Sequence, residues 1–278
     1  MAKARRLITE NMKAVDVAAE LLDARIPYSS ANPMIAELTA GKPRLIILNK
    51  SDMADPGETK KWKDWFQSQG LKTIAMDSRT GKSRKMLFQA VREAAGPVLK
   101  KWEARGMKNR SVRLMILGIP NVGKSTLINS LSGTAAARTA NTPGHTRGKQ
   151  WVHLADGLDL LDTPGVLWPK LDNQTAAVRL AATGAIADDV FDLETVVPAL
   201  LKMLTEKAPR ELALRYGTDP AEHDGDSLLE EIARRRGCLL PGGAIDWERA
   251  RRVVLNDFQD GRLGKLTLDS VPGEEGQA

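Results

Sequence analysis

One short segment carries the groups needed to hold a phosphorylated ligand, and a second carries groups that could read a base. Residues 118–125 read GIPNVGKS. Gly118 and Gly123 let a loop curl around an anion, so that its N–H groups and the start of the next helix face phosphate oxygens. Lys124 would reach β- and γ-phosphates, and the Ser125 hydroxyl would ligate Mg²⁺. Asn121, Val122 and Thr126 complete the stretch that such a ligand would touch. Residues 49–52 read NKSD. The Asp52 carboxylate can accept two hydrogen bonds from the N1–H and 2-amino edge of guanine, a pairing adenine cannot offer. Asn49 and Lys50 would brace that loop and cover the ring, and Ser78, in MDSRTGKS, is placed to add a contact to the guanine carbonyl. Alone, NKSD reads equally well as a helix start capped by Ser51 or Asp52. A buried strand ahead of it favours base reading.

Beyond these loops lie two further candidates. DTPG at 162–165 ends an apolar run; Asp162 would hold Mg²⁺ through water, and the Gly165 N–H can meet a γ-phosphate. NTPGHTRG at 141–148 offers Thr146 as a second hydroxyl for Mg²⁺, in a segment expected to be mobile without nucleotide. Lys124, Thr146 and Gly165 are therefore the groups expected nearest to phosphoryl chemistry. Many GTPases keep a water-orienting glutamine directly after the DxxG glycine. Here that position is Val166, which cannot polarise water, so the catalytic group is open.

The elements that must position these loops follow from the spacing of apolar residues. PRLIILNK is apolar without alternation and reads as a strand covered on both faces; VDVAAELLDA, LKTIAMDS and VRLMILGI read as strands of the same sheet. NPMIAELTAG is expected to be a helix, capped by Asn32, with Pro33 at its first position and Gly41 at its end. TKKWKDWFQSQG and KSTLINSLSG are helical, and SRKMLFQAVREAAGPVLKKWEARG is a long helix that Pro97 interrupts. WVHLA and GLDLLD form a hairpin turning at Asp156-Gly157. Strands alternating with helices specify an α/β fold with a doubly wound, mainly parallel sheet over residues 1–172. From 173 to 278 five stretches carry helical spacing, which implies a smaller all-α C-terminal domain and a candidate RNA contact.

Composition narrows the class. The 278 residues are 42% hydrophobic and 27% charged, as in water-soluble globular proteins. A single cysteine, Cys238, excludes an internal disulfide and a cysteine-cluster metal site. No run reaches the length of a membrane span, and the basic start MAKARR lacks an apolar core after it, so no membrane partner and a cytoplasmic location are expected. The net charge of +6, with clusters at KARR, LKKWEARGMKNRSVR, RRR and ERARR, points to a polyanionic partner. Arg234, Arg235, Arg236, Arg249, Arg251 and Arg252 are the candidate RNA-backbone contacts.

With DARIPYSSANP, NKSD, GIPNVGKSTLIN, TPGHT, LLDTPGVLWPK and RGCLLPGG in this order, the chain resembles the circularly permuted GTPases, and most closely the ribosome biogenesis GTPase A family, also called YlqF. The resemblance covers nearly the whole sequence. It implies a P-loop GTPase fold whose base-reading loop precedes the phosphate loop, GTP and GDP as ligands, and a large ribosomal subunit and its rRNA as partners late in assembly. Asn121 resembles the asparagine of GTPases that hold K⁺ against the phosphates, which implies K⁺ as an activator beside Mg²⁺. Family members carry an N-terminal segment ending in Pro-Gly-His-Met, whose histidine is proposed to act in hydrolysis; this sequence starts at the matching methionine. His145, beside Thr146, is a distant substitute, and His153 and His223 are the other histidines. Slow hydrolysis by the isolated chain is expected. Three readings compete: a permuted GTPase of another RNA particle, a guanine-nucleotide sensor that never needs hydrolysis, and a P-loop kinase or ATPase, which would leave NKSD unexplained.

Overall fold

A computed structural model describes residues 2–107, 110–139, 151–154, 157–161, 173–187 and 189–273, with backbone alone at 2–4, 82 and 132–139. Six strands form its sheet: β1 (Val17–Asp23), β2 (Arg44–Asn49), β3 (Lys72–Met76), β4 (Val112–Gly118), β5 (Trp151–Leu154) and β6 (Leu158–Leu161). Their spatial order is β3-β2-β1-β4-β6-β5. All neighbours are parallel except β5, which returns antiparallel to β6 as the hairpin reading requires. Every residue of β1 is buried, as are five of the six in β2. Helices on both faces leave no solvated side, hence the unalternating apolar runs.

Helices α1 (Ala2–Met12), α2 (Pro27–Ser30), α3 (Pro33–Leu38), α4 (Pro56–Ser68), α5 (Gly81–Ala94), α6 (Gly96–Ala104) and α7 (Lys124–Thr139) flank the sheet. Asn32 caps α3, its side chain accepting from Met34 N at 3.0 Å, and Asp55 caps α4 by accepting from Glu58 N at 2.8 Å. The long helix expected over 83–106 is divided at Ala95, one residue earlier than the glycine and two before Pro97. Pro97 then sits in the first turn of α6, where its missing N–H costs nothing.

The five helical stretches of the C-terminal part are α8 (Gln174–Ala182), α9 (Leu193–Lys207), α10 (Pro209–Tyr216), α11 (Gly225–Arg235) and α12 (Trp247–Gln259). Their apolar faces merge with the sheet's own core, which runs without interruption from Val17, Leu114 and Ile116 to Leu200, Leu229 and Phe258. After α12 the described residues form no regular element, yet Leu263, Leu266, Leu268 and Val271 are buried. Leu266 N donates to Met53 O at 3.0 Å and Leu268 N to Arg25 O at 2.8 Å. Asp269 accepts from Ser29 N at 2.7 Å and pairs with Arg179 at 2.8 Å. The last segment thus straps the helical part to the loops at one edge of the sheet. Among the described residues no helix is long and apolar enough to cross a membrane.

Candidate nucleotide site

In a parallel sheet all strands deliver their following loops to one edge, which is where open α/β folds bind ligands. The register aligns Leu21 with Gly118, Asp23 with Asn49, and Asn49 with Met76. The loops after β1, β2, β3 and β4 therefore open at the same level, and segments distant in sequence meet there.

Asn49 is buried and fastens three of them. Its Nδ2 donates to Val122 O at 2.8 Å, and its Oδ1 accepts from Ser78 N at 3.0 Å. Lys50 takes a left-handed backbone conformation (φ +58°), as does Asn121 (φ +56°), and Lys50 Nζ donates to Asn121 O at 3.0 Å. The loops that follow β2 and β4 are consequently one cross-braced unit. Gly123 is required by this arrangement. Its φ is +98°, and a Cβ there would stand 2.3 Å from Asn49 Nδ2. Gly118 has the same restriction from the other side, since a Cβ would lie 2.8 Å from Leu21 O. Ile119, Pro120, Asn121, Gly123, Lys124, Ser125 and Thr126 line a cavity of ≈ 430 Å³ against the start of α7, large enough for phosphate groups facing the helix N-terminus.

Asp52 is one-third exposed. Its Oδ2 accepts from Arg79 Nη2 at 2.6 Å, whereas Oδ1 is buried with no hydrogen-bond partner among the described residues. A buried carboxylate oxygen left without a donor costs on the order of 1–3 kcal/mol, and a ligand edge carrying a second N–H would relieve it. Arg79 is itself held by Asp77, whose two oxygens accept from Arg79 Nε at 2.9 Å and Nη2 at 3.0 Å. The Arg79 hydrogen bond keeps the Asp77 carboxyl below the usual range, and Asp77 and Asp52 together raise Arg79.

Beneath the loops lies a buried charge cluster that the sequence reading did not single out. Asp23, at the end of β1, pairs with Arg25 at 2.9 Å and with Lys50 at 3.0 Å. Burial pushes the Asp23 carboxyl up, but the two cations outweigh it and hold it well below the ordinary carboxylate range. Arg25 Nη1 also donates to Phe258 O at 3.1 Å and Gln259 O at 3.3 Å, the last two carbonyls of α12, the first of which also accepts from Gly261 N at 3.2 Å. A second contact to the helical part is made by Asn121, whose Nδ2 donates to Gly184 O at 2.6 Å. The sequence offers only a weak signal for Asp23 and Arg25, a charged pair two residues apart at the end of a strand that also carries Glu20, because the carbonyl partners of Arg25 lie more than two hundred residues away.

Asn49, Lys50, Asp52, Ser78, Asn121, Val122, Gly123, Lys124, Ser125 and Thr126 are thus gathered at one edge. Thr146, Asp162 and Gly165, with His145 and Val166, lie outside the described residues. His153 pairs with Asp159 across the hairpin at 2.8 Å, and His223 lies 3.0 Å from Thr218 Oγ1. Among the described residues no group of three His, Cys, Asp or Glu side chains could hold a metal ion. Of the arginines proposed for RNA, Arg234, Arg235 and Arg252 make i,i+4 pairs with Glu230, Glu231 and Glu248. Arg251 pairs with Glu194, and Arg236 donates to Arg215 O and lies over the Tyr216 ring. Arg249 is exposed.

The chain is similar to known proteins over most of its length. Residues 113–212 match the family described as 50S ribosome-binding GTPase. Ribosome biogenesis GTPase A of Priestia megaterium is 42% identical over 278 residues, all of this chain and 96% of that protein. The protein of the same name from Thermotoga maritima is 32% identical over 96% of this chain and 90% of its own length. Among solved structures, a GDP-bound TM YlqF has a TM-score of 0.70 at 26% identity, covering 95% of this chain and 98% of that one. A GNP-bound YlqF from T. maritima has a TM-score of 0.69 at 27% identity, covering 96% and 97%.

Proposed function

The chain belongs to the ribosome biogenesis GTPase A family, and from that membership we propose that this GTPase acts in the cytoplasm as an assembly factor in late maturation of the large (50S) ribosomal subunit. Its nucleotide state controls binding to the subunit and release from it. The observation that carries this reading is the double tie between loops in reversed sequence order, Asn49 to Val122 and Lys50 to Asn121. Those bonds build one site able to hold a guanine base at Asp52 and phosphates at 118–126.

In the proposed mechanism the loop N–H groups and the start of α7 bind the phosphates, and Lys124 balances charge on the β- and γ-oxygens. Mg²⁺ neutralises the phosphate charge when bound. Ser125, a hydroxyl at the phosphate cavity, fits as its ligand, with Thr146 and Asp162 completing the set and the Gly165 N–H sensing the γ-phosphate. For K⁺, the ligand atom would be the amide oxygen Asn121 Oδ1, which the bond from Nδ2 to Gly184 O leaves available. Residues 1–172 form the GTPase domain and 173–278 the helical domain that meets rRNA, through arginines whose exposed ion pairs are cheap to exchange for phosphate.

GTP turnover measured with and without purified large subunits, in K⁺ and in Na⁺ buffer, tests the proposal. Slow turnover alone, acceleration by large subunits and a K⁺ requirement are expected. No acceleration by large subunits would refute the assembly role, and equal rates in both cations would remove the K⁺ site.

A further inference from the structure

We propose that Arg79 is a built-in competitor of the guanine base, one that lowers affinity by occupying an oxygen of the carboxylate that reads it. The inference rests on the assignment of Asp52 to base reading.

Guanine offers a carboxylate two N–H groups on one edge, from N1 and from the 2-amino group. A guanidinium offers donors of the same kind and spacing. Arg79 Nη2 delivers one to Asp52 Oδ2 at 2.6 Å, while Oδ1 keeps its capacity unused. Each oxygen has two acceptor sites, but the guanidinium takes one on Oδ2 and neutralises the carboxylate's charge, so a base pairs best with both oxygens once the arginine has left. The arginine is not a chance neighbour. Asp77 grips it through Nε and Nη2, and the Arg79 backbone N–H donates to Asp77 Oδ1 at 2.9 Å. This grip stands the guanidinium at Asp52 and offers it a resting partner once the base displaces it. Asp77, Arg79 and Asp52 form an acid–base–acid row with two positions for one cation: shared between both carboxylates, or on Asp77 alone.

The size of the effect follows from exposure. The Arg79 side chain is 64% exposed and that of Asp52 32%, so the contact belongs with screened surface pairs. Its removal should tighten binding about two- to fivefold, since the competent fraction of the site multiplies the intrinsic affinity. Screening also predicts that the difference fades as salt rises.

Titration of the full chain with GDP and ADP in Mg²⁺ buffer, comparing wild type with Arg79→Ala, tests this. GDP is expected to bind the variant about two- to fivefold tighter and to associate faster, with ADP unchanged and the gap closing at high salt. Equal or weaker GDP binding by the variant would overturn the proposal, as would an equal gain for ADP. A second background separates this failure from failure of the base assignment. Asp52→Asn should shift preference from GDP to xanthosine diphosphate, whose 2-oxo group accepts where guanine donates; if GDP remains preferred, the base assignment falls and the proposal with it. If the preference shifts, Arg79→Ala in that background should raise the xanthosine diphosphate affinity less than it raises that for GDP, because a neutral amide oxygen holds the arginine without an opposite charge. A gain there equal to that for GDP would also refute competition at Asp52.

Discussion

Replacing Asp23 by asparagine should remove a large part of the stability of the site edge, and should do so in a pH-dependent way. Asp23 and Arg25 are each 2% exposed, and Lys50, the third member, is 23% exposed. Removing one charge from a buried pair costs about 3–5 kcal/mol, mostly because the partner's charge is left uncompensated. Two features set Asp23→Asn at the lower end, about 3 kcal/mol. The amide oxygen still accepts a hydrogen bond from Arg25, and Lys50 can turn to water while keeping Asn121 O. The folded carboxyl lies below its ordinary value of 3.8. The stability its charge supplies is therefore complete above 3.8 and is lost as pH falls through that value toward the lower folded one. Urea unfolding followed by tryptophan fluorescence should give a constant difference between wild type and variant from neutral pH down to the onset of carboxyl titration, and a shrinking one below it. A neutral-pH difference below about 1 kcal/mol would refute the charge-cluster argument, because an uncompensated buried arginine cannot be that cheap. So would a difference that widens in acid.

Further outcomes follow from single contacts. Gly123→Ala combines left-handed backbone strain of about 1–2 kcal/mol with displacement of the Asn49 amide, which strands the Val122 carbonyl at a further cost of about 1–3 kcal/mol; GDP titration should show at least about a tenfold loss. Leu268→Ala, in the strap after α12, removes a side chain that is 1% exposed and should cost about 2–5 kcal/mol in chemical denaturation, as a core leucine does, although no helix or strand contains it. Affinity for large-subunit rRNA should fall linearly on a log–log salt plot. Arg249→Ala is expected to reduce that slope by about 1. Arg251→Ala, with its guanidinium drawn in to Glu194, should change it far less.

The parts of the fold that could be read from sequence are those whose cause is local. PRLIILN and VRLMILG announce doubly covered strands because a parallel sheet needs apolar residues on both faces, and Asn32 with Pro33 announces a helix start because both act within one turn. GIPNVGKS and NKSD are legible because a backbone loop around an anion, and a carboxylate after a strand, leave a fixed spacing. The rest depends on partners that no window contains. Arg25 reads as a surface arginine until its carbonyl partners at 258 and 259 are known, and Arg79 as a turn residue until Asp52 is found beside it. Leu266 and Leu268 do alternate with Thr267 and Asp269, the period of an extended segment with one covered face, yet all four are buried. What covers it comes from Met53 and Arg25, far earlier in the chain.

The charge cluster also bears on how nucleotide and helical part communicate. Lys50 touches both the phosphate loop, through Asn121 O, and Asp23. Asp23 holds Arg25, which closes on the last carbonyls of α12, where a cation is favoured by the helix dipole. A hydrogen bond from a charged donor contributes about 1.5–3 kcal/mol, so the seat of α12 depends on the same carboxylate that braces the base-reading loop. A ligand that displaces Lys50 by lying under its side chain changes the partners of Asp23, and with them the hold of Arg25 on α12. Asp23→Asn should therefore lower hydrogen-exchange protection at the end of α12 as well as weaken GDP binding. If α12 keeps full protection while binding weakens, the cluster serves the loop alone, and Asn121 with Gly184 is left as the route between the two parts.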